Sequence, residues 1–418
     1  MASNTRSANL KSCLLLFLSS VSLVAAQPPP PISLPYPDGD ARLRTALVNR
    51  QLTDESRTDP WAPPGTKRKL MVSMFYPVPK ERCESALDQV EYMPPSTATA
   101  FSAYLGMPDG IFQLLRLQVC KPKPGKVDLD KYPVILYSPG FSSSRLLASA
   151  QAQKVANAGY VVVTVDHPYD AVSVQFPPSE QFPNGEVVGH STSTDSPPAA
   201  LDATIPQRVA DVQFVLNTLS SKAGLGLLIP GVSKGLDVKR VAMFGHSLGG
   251  ATLFAAMFAE PRIMGGFDLD GNLYGFPQSK DRKLPKEKSL ALFGRPDHNT
   301  TDDATWREGL SRVEGWKREL VLASSGHFTF TDGPLLIKAL QDKQILPESL
   351  PPPLVAMLGS LPGDRPFKIL TTYVIAFMDF VLKDKCPGLF MAPNREFPEV
   401  TLMNTGSRVG PWCRPWRG

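Results

Sequence analysis

The sequence is poor in cysteine and histidine, with five of each in 418 residues. Neither an H-E-x-x-H nor a C-x-x-C pair occurs, so nothing has zinc-ligand or redox spacing, and no metal or other cofactor is expected. Basic runs are missing too. Net charge is +5, or +3 once Arg6 and Lys11 are set aside, and no five basic residues stand together. A nucleic-acid partner is unsupported on that ground. No apolar stretch reaches the roughly 20 residues that a membrane-spanning helix needs. Internal repeats are lacking, and no obligate protein partner is inferred. With 42% hydrophobic and 20% charged residues, a disordered chain is excluded and a sizeable core is implied.

Proline, by contrast, is abundant: 42 residues, about twice ordinary usage. The clusters Pro28–Pro31, Pro94–Pro95, Pro177–Pro178, Pro197–Pro198 and Pro351–Pro353 punctuate the chain. Arg6 and Lys11 precede the apolar stretch Cys13–Ala26, and Val24-Ala25-Ala26 supplies the small residues of a cleavage site. Residues 1–26 therefore read as a secretory signal peptide, and the protein as secreted and extracellular. Cys13 would leave with the signal. Cys83, Cys120, Cys386 and Cys413 remain as an even set suited to an oxidising compartment. The pairs Cys83–Cys120 and Cys386–Cys413 close the shortest loops and are the expected disulfides. Asn299-Thr300-Thr301 is a glycosylation sequon, read as an exposed loop.

Residues 27–66 read as a Pro-rich N-terminal arm and 67–418 as one catalytic domain. Short apolar runs at Lys69–Val78, Pro133–Ser138, Tyr160–Asp166, Arg240–Phe244, Gly265–Asp270, Ser289–Gly294 and Glu319–Ala323 read as strands, most buried on both faces. Helical patterns lie at Ser143–Ala158, Pro206–Ser220, Ser247–Ala259, Thr305–Val313 and Arg365–Lys383. This alternation predicts an α/β fold: a mostly parallel central sheet with helices on both faces, the ligand site lying beyond the carboxyl ends of the strands. Residues 171–203 are polar, Pro-rich and without period, and read as an insertion or lid over that site.

The chemistry-bearing motif is Gly245-His246-Ser247-Leu248-Gly249, set between the strand residues Val241–Phe244 and the Ala-rich run Ala251–Ala256. That is the strand–turn–helix setting of a nucleophile elbow, where a strained serine needs small residues two before and two after it. A serine nucleophile needs a base and an acid, in the chain order Ser, acid, His. His327, in the small-residue loop after Glu319–Ala323, is the candidate base. His298, beside the sequon, reads as a surface histidine, and His246 as a packing residue. Asp270 at the end of GGFDLD is the candidate acid. Asp268 faces the same side by strand alternation, and Asp297, after the next strand, is the rival. Leu248 and Phe141 are the candidate backbone oxyanion donors, and His167 lies where it can support or line the cleft.

Taken together, LYSPGFSSSR (Leu136–Arg145), VTVDHPYD (Val163–Asp170), FGHSLGGAT (Phe244–Thr252) with FDLDGNLYG (Phe267–Gly275), and GWKRELVLASSGHFTFTD (Gly315–Asp332) resemble the plasma-type platelet-activating-factor acetylhydrolases, in their fungal secreted branch. The resemblance implies the α/β-hydrolase fold, the acid at Asp270, oxyanion donors at Phe141 and Leu248, no metal, and hydrolysis of short acyl esters, with transient contact to a lipid surface. A general short-chain ester or polyester hydrolase of cutinase type is the alternative enzyme. An inactive secreted binding protein on the same fold is the alternative of another class.

Overall fold

The computed structural model describes residues 29–403 except 126, 190–197, 278 and 280, and the backbone alone at 198–203. The expected signal peptide lies outside the described residues. Among those described, a nine-stranded sheet is built from β1 (Leu43–Thr58), β2 (Lys67–Pro79), β3 (Val134–Ser138), β4 (Val161–Asp166), β5 (Val241–His246), β6 (Ile263–Leu269), β7 (Ser289–Gly294), β8 (Lys317–Leu322) and β9 (Val400–Met403). Their spatial order is β9-β8-β7-β6-β5-β3-β4-β2-β1. Strands β3 to β8 are mutually parallel, while β1, β2 and β9 pair antiparallel at the two edges.

Every residue of β3, β4, β5 and β7 is buried, which explains why these strands read as unbroken apolar runs. Successive side chains feed two separate cores. Ile135, Tyr137, Ala242, Phe244, Phe267 and Phe293 pack on one face against α1 (Ser149–Asn157) and α4 (Arg365–Lys383). Val134, Leu136, Val241, Met243, Leu290 and Leu292 pack on the other against α2 (Pro198–Ser220) and α3 (Leu248–Ala259). The architecture is thus the expected α/β one, with helices on both faces. No helix among the described residues is long and apolar enough to cross a membrane.

Chain order reverses direction at β3. From there the chain moves outward to β4, then returns to place β5 on the other side of β3 and continues through β6, β7 and β8. The loops leaving the carboxyl ends of β3 and β5 therefore diverge at one point, the position where open α/β sheets form their ligand crevice.

Three sequence expectations need correction. Residues 43–58 are no arm: they form the long edge strand β1, in register with β2 from Leu43 opposite Pro79 to Asp54 opposite Arg68. Charged residues such as Arg44 and Arg50, usual on an edge strand, mask its alternation. The region 171–203, which shows no period in the sequence, holds regular structure. Strands Ser173–Gln175 and Val187–Gly189 form a hairpin whose Val174, Phe176 and Val188 pack with Met71 and Ala171. Helix α2 begins at Pro198 and carries Pro206 inside it, rather than starting there. Cys83 and Cys120 are disulfide-bonded as expected. Cys386 is also disulfide-bonded, and Cys413 lies outside the described residues.

Candidate active site

Strand β5 runs into Ser247, whose backbone sits at φ 56° and ψ −124°, a region that a residue with a side chain occupies only under constraint. The constraint comes from both sides. The Ser247 amide donates to the Leu269 carbonyl of β6 at 3.0 Å, and α3 starts at the next residue. A Cβ on Gly245 would lie 2.4 Å from the Gly249 carbonyl oxygen, and one on Gly249 would lie 1.9 Å from that of Ser138. The two glycines of the motif are thus a steric requirement. Leu248 opens α3, and the amides of a first helical turn have no acceptor inside the helix and carry its positive dipole end.

Beyond β3 the chain turns through Pro139, Gly140 and Phe141. Arg208 of α2, fully buried, holds this turn. Its guanidinium grips the Asp170 carboxylate through Nε at 2.6 Å and Nη2 at 2.5 Å. It also donates to the carbonyls of Pro139 at 2.6 Å and Gly140 at 3.1 Å. No described peptide bond is cis. In a trans peptide the carbonyl and the following N–H point oppositely, so fixing the Gly140 carbonyl toward Arg208 turns the Phe141 N–H away from it. A Cβ on Gly140 would lie 3.0 Å from that of Ser247, which measures how closely this turn approaches the elbow. His167 does not line a cleft. It is buried behind the turn, with Nδ1 against Asp211 Oδ2 at 2.9 Å and Nε2 against Ser138 Oγ at 3.0 Å. Burial, aided by the charge of Arg208, lowers its pKa, so the neutral ring accepts from the Ser138 hydroxyl while donating to Asp211.

Asp270 follows β6 at φ 58°, so strand alternation no longer governs where it points. Its Oδ2 accepts from His327 Nδ1 at 2.5 Å and Arg295 Nη1 at 2.6 Å. Its Oδ1 accepts from His298 Nδ1 at 2.8 Å and the Arg295 amide at 3.1 Å. Burial opposes ionisation, but the hydrogen bonds from His298 and His327 outweigh it and hold this carboxyl well below the usual range. The rivals point elsewhere. Asp268 is buried beside Gly250 and, among the described residues, accepts only from the Gly271 amide at 3.1 Å. Its Oδ2 has no partner among the described residues, and burial pushes its carboxyl well above the usual carboxylate range. Asp297 keeps 77% of its side-chain surface exposed and pairs with Arg295 Nε at 2.7 Å.

The loop that carries His327 is tied to the Ser247 turn through His246, whose Nε2 donates to the His327 carbonyl at 2.9 Å. Its ring lies 4.6 Å from that of His327, centroid to centroid. Burial, with the neighbouring His327, lowers the His246 pKa to about 3, so it packs and orients as a neutral ring.

Two residues at this site were missed in the sequence. His298, read there as a surface histidine, is 4% exposed, and its Nε2 meets Asp303 Oδ2 at 2.8 Å. Arg295 bridges Asp270 and Asp297. The crowding of Arg295, Asp297, His298 and Asp303 after one strand was the available signal, and the sequon drew attention from it. The sequon itself is corrected as well. Asn299 is buried, and its Nδ2, the atom a glycan would need, donates to the Pro296 carbonyl and Asp302 Oδ2 at 3.0 and 2.7 Å.

The family model of platelet-activating factor acetylhydrolase, isoform II, matches residues 64–346. An Arthroderma benhamiae protein named "Probable 1-alkyl-2-acetylglycerophosphocholine esterase" is 30% identical over 401 residues, covering 91% of this chain and 96% of that protein. The platelet-activating factor acetylhydrolase of Cavia porcellus is 22% identical over 286 residues, 64% of each chain. Among solved structures, a ferulic acid esterase from Streptomyces cinnamoneus superposes with a TM-score of 0.69 at 28% identity, covering 89% of this chain and 99% of that one.

Proposed function

We propose, from the premise that this chain belongs to the family of platelet-activating factor acetylhydrolase, isoform II, that Ser247, His327 and Asp270 are the catalytic triad of its esterase activity. The observation that carries this reading is the 2.5 Å contact of His327 Nδ1 with the fully hydrogen-bonded Asp270 carboxylate, beside a serine held at positive φ. With Nδ1–H directed to Asp270, the opposite ring nitrogen is the acceptor for the serine proton. Ser247 Oγ attacks the ester carbonyl while His327 takes its proton. The amides of Leu248 and Phe141 receive the oxyanion of the tetrahedral intermediate. His327 then returns the proton to the departing alcohol, leaving an acyl-Ser247. A water molecule, deprotonated by the same histidine, adds to the acyl carbon and releases the acid.

The substrate class we favour is a short acyl ester on a glycerophospholipid, because the matched relatives are named for removing an acetyl group from such a lipid. The structural neighbour, named for a ferulic ester, favours one alternative, an aromatic acyl group. We also assign the protein to an extracellular, oxidising compartment, which the Cys83–Cys120 disulfide supports. The hairpin in 171–189 leaves from the strand end at Asp166, and we read it as a wall of the substrate site.

The decisive experiment pairs Ser247→Ala with fluorophosphonate labelling. Wild-type protein should label and hydrolyse a soluble acetyl ester. The variant should do neither and should melt within a few degrees of wild type. Retention of more than about a thousandth of the activity would overturn the nucleophile assignment. A panel of acetyl, longer acyl and feruloyl esters then ranks the substrate classes.

A further inference from the structure

His298 has a carboxylate oxygen at 2.8 Å from each ring nitrogen, Asp270 on Nδ1 and Asp303 on Nε2. Ionised carboxylates only accept, so both nitrogens must carry hydrogen and the ring is an imidazolium. The surroundings keep it there. Its ring lies on Trp306 at 4.5 Å between centroids. Trp306 in turn donates its indole N–H to the Gly271 carbonyl at 2.6 Å. Asp303 is anchored by Asn272 Nδ2 at 2.7 Å and by the Thr305 amide at 2.6 Å and hydroxyl at 3.0 Å. A continuous chain therefore runs Asp303–His298–Asp270–His327, from the N-cap of helix Ala304–Ser311 to the candidate base.

We propose that His298, clasped between Asp270 and Asp303, is a positioning residue of the esterase: its imidazolium fixes the acid under the base and, with Arg295, offsets the acid's charge so that activity extends into mildly acidic solution. The inference rests on the triad reading above. Two cations, His298 and Arg295, face one Asp270 carboxylate, and Arg295 Nη1 also lies 3.4 Å from His327 Nδ1. Each cation offsets the negative charge of the carboxylate that His327 contacts. The other titratable neighbours do not replace this effect. Asp268, near His298, has its ionisation opposed by burial, and His246, against His327, is a neutral ring. Burial disfavours charge on His298, yet its bonds to Asp270 and Asp303 raise its pKa to about 9, in agreement with the geometry.

The test is the pH profile of kcat/KM for full-length His298→Gln with a soluble acetyl ester. Glutamine keeps one N–H donor for Asp270 and removes the charge. The acid limb should move up by about one pH unit, and kcat should fall about tenfold while KM changes less than about twofold. An acid limb that stays in place overturns the proposal, whatever the rate, because a merely structural role would lower activity without moving it. Should that variant not fold, Asp303→Asn serves instead. It keeps an acceptor on Nε2 and removes an anion, so the alkaline limb should move down from about pH 9; an unmoved alkaline limb is equally fatal. Asp270→Asn separates the layers: if that variant remains active, the triad reading fails, whereas an inactive Asp270→Asn beside an unmoved His298→Gln profile defeats only this inference.

Discussion

Ser247 stands between two buried clusters of charge with different outputs. On the β3 side, Arg208 directs its donors to Asp170 and to two backbone carbonyls, and His167 bonds Ser138; the product is a fixed orientation of peptide planes. On the β6–β7 side, Arg295 and His298 direct theirs to Asp270, and the product is a charged side chain held against a histidine. The first cluster shapes backbone and keeps its charges internally paired. The second leaves an ionised carboxylate coupled to a base that is about one-third exposed. An oxyanion site needs amides in place and no titration, whereas an acid–base pair needs its electrostatics tuned.

The contrast can be broken at several points. The largest effect should come from Asp270→Asn, which keeps shape but loses the charge that selects the tautomer of His327. We expect kcat to fall about ten-thousand-fold with folding intact by circular dichroism, while Asp297→Asn stays within about twofold of wild type. A crippled Asp297→Asn beside an active Asp270→Asn would reverse the acid assignment. Next comes Arg208→Lys on the other side. Lysine has three donors on one nitrogen and cannot reproduce the bidentate grip on Asp170 together with both carbonyl bonds, so kcat should drop about a hundredfold and the melting temperature should fall, because part of a buried ion pair is lost. If stability falls but kcat does not, the turn is held by other contacts and the division of labour is wrong. The smallest effect is a pH dependence of stability. The folded pKa of His298 is raised from 6.5 to about 9. Its stabilising contribution is therefore complete below about pH 6.5 and lost as pH rises through about 9. Urea-unfolding free energies should decline between pH 7 and 9.5 more steeply in wild type than in His298→Gln. Parallel curves would show that the imidazolium carries no such linkage.

Much of this arrangement was readable in the chain. The parallel strands announce themselves because burial on both faces demands uninterrupted apolar runs, and α4 was bounded at Arg365 and Lys383 by its periodicity. The edge strand β1 was not, since only a few of its residues are buried and its polar residues resemble a linker. Asp268 and Asp270 were read as facing one side, which fails because the strand ends at Leu269 and Asp270 turns at positive φ. His298 was misread because its neighbours in sequence are polar, while its neighbours in space are Trp306, Asp270 and Asp303.

What the sequence by itself determined is the part of the site whose physics is local. Ser247 sits at an elbow because Gly245 and Gly249 alone leave room for it between a buried strand and a helix, and that requirement is written in five consecutive residues. What only the tertiary structure decided is which of three aspartates meets His327 and what surrounds it. Strands β5, β6, β7 and β8 must lie side by side before residues 247, 270, 295, 298 and 327 come within reach of one another. The charge state of each then follows from burial and hydrogen bonding in that shared space, which no stretch of chain specifies alone.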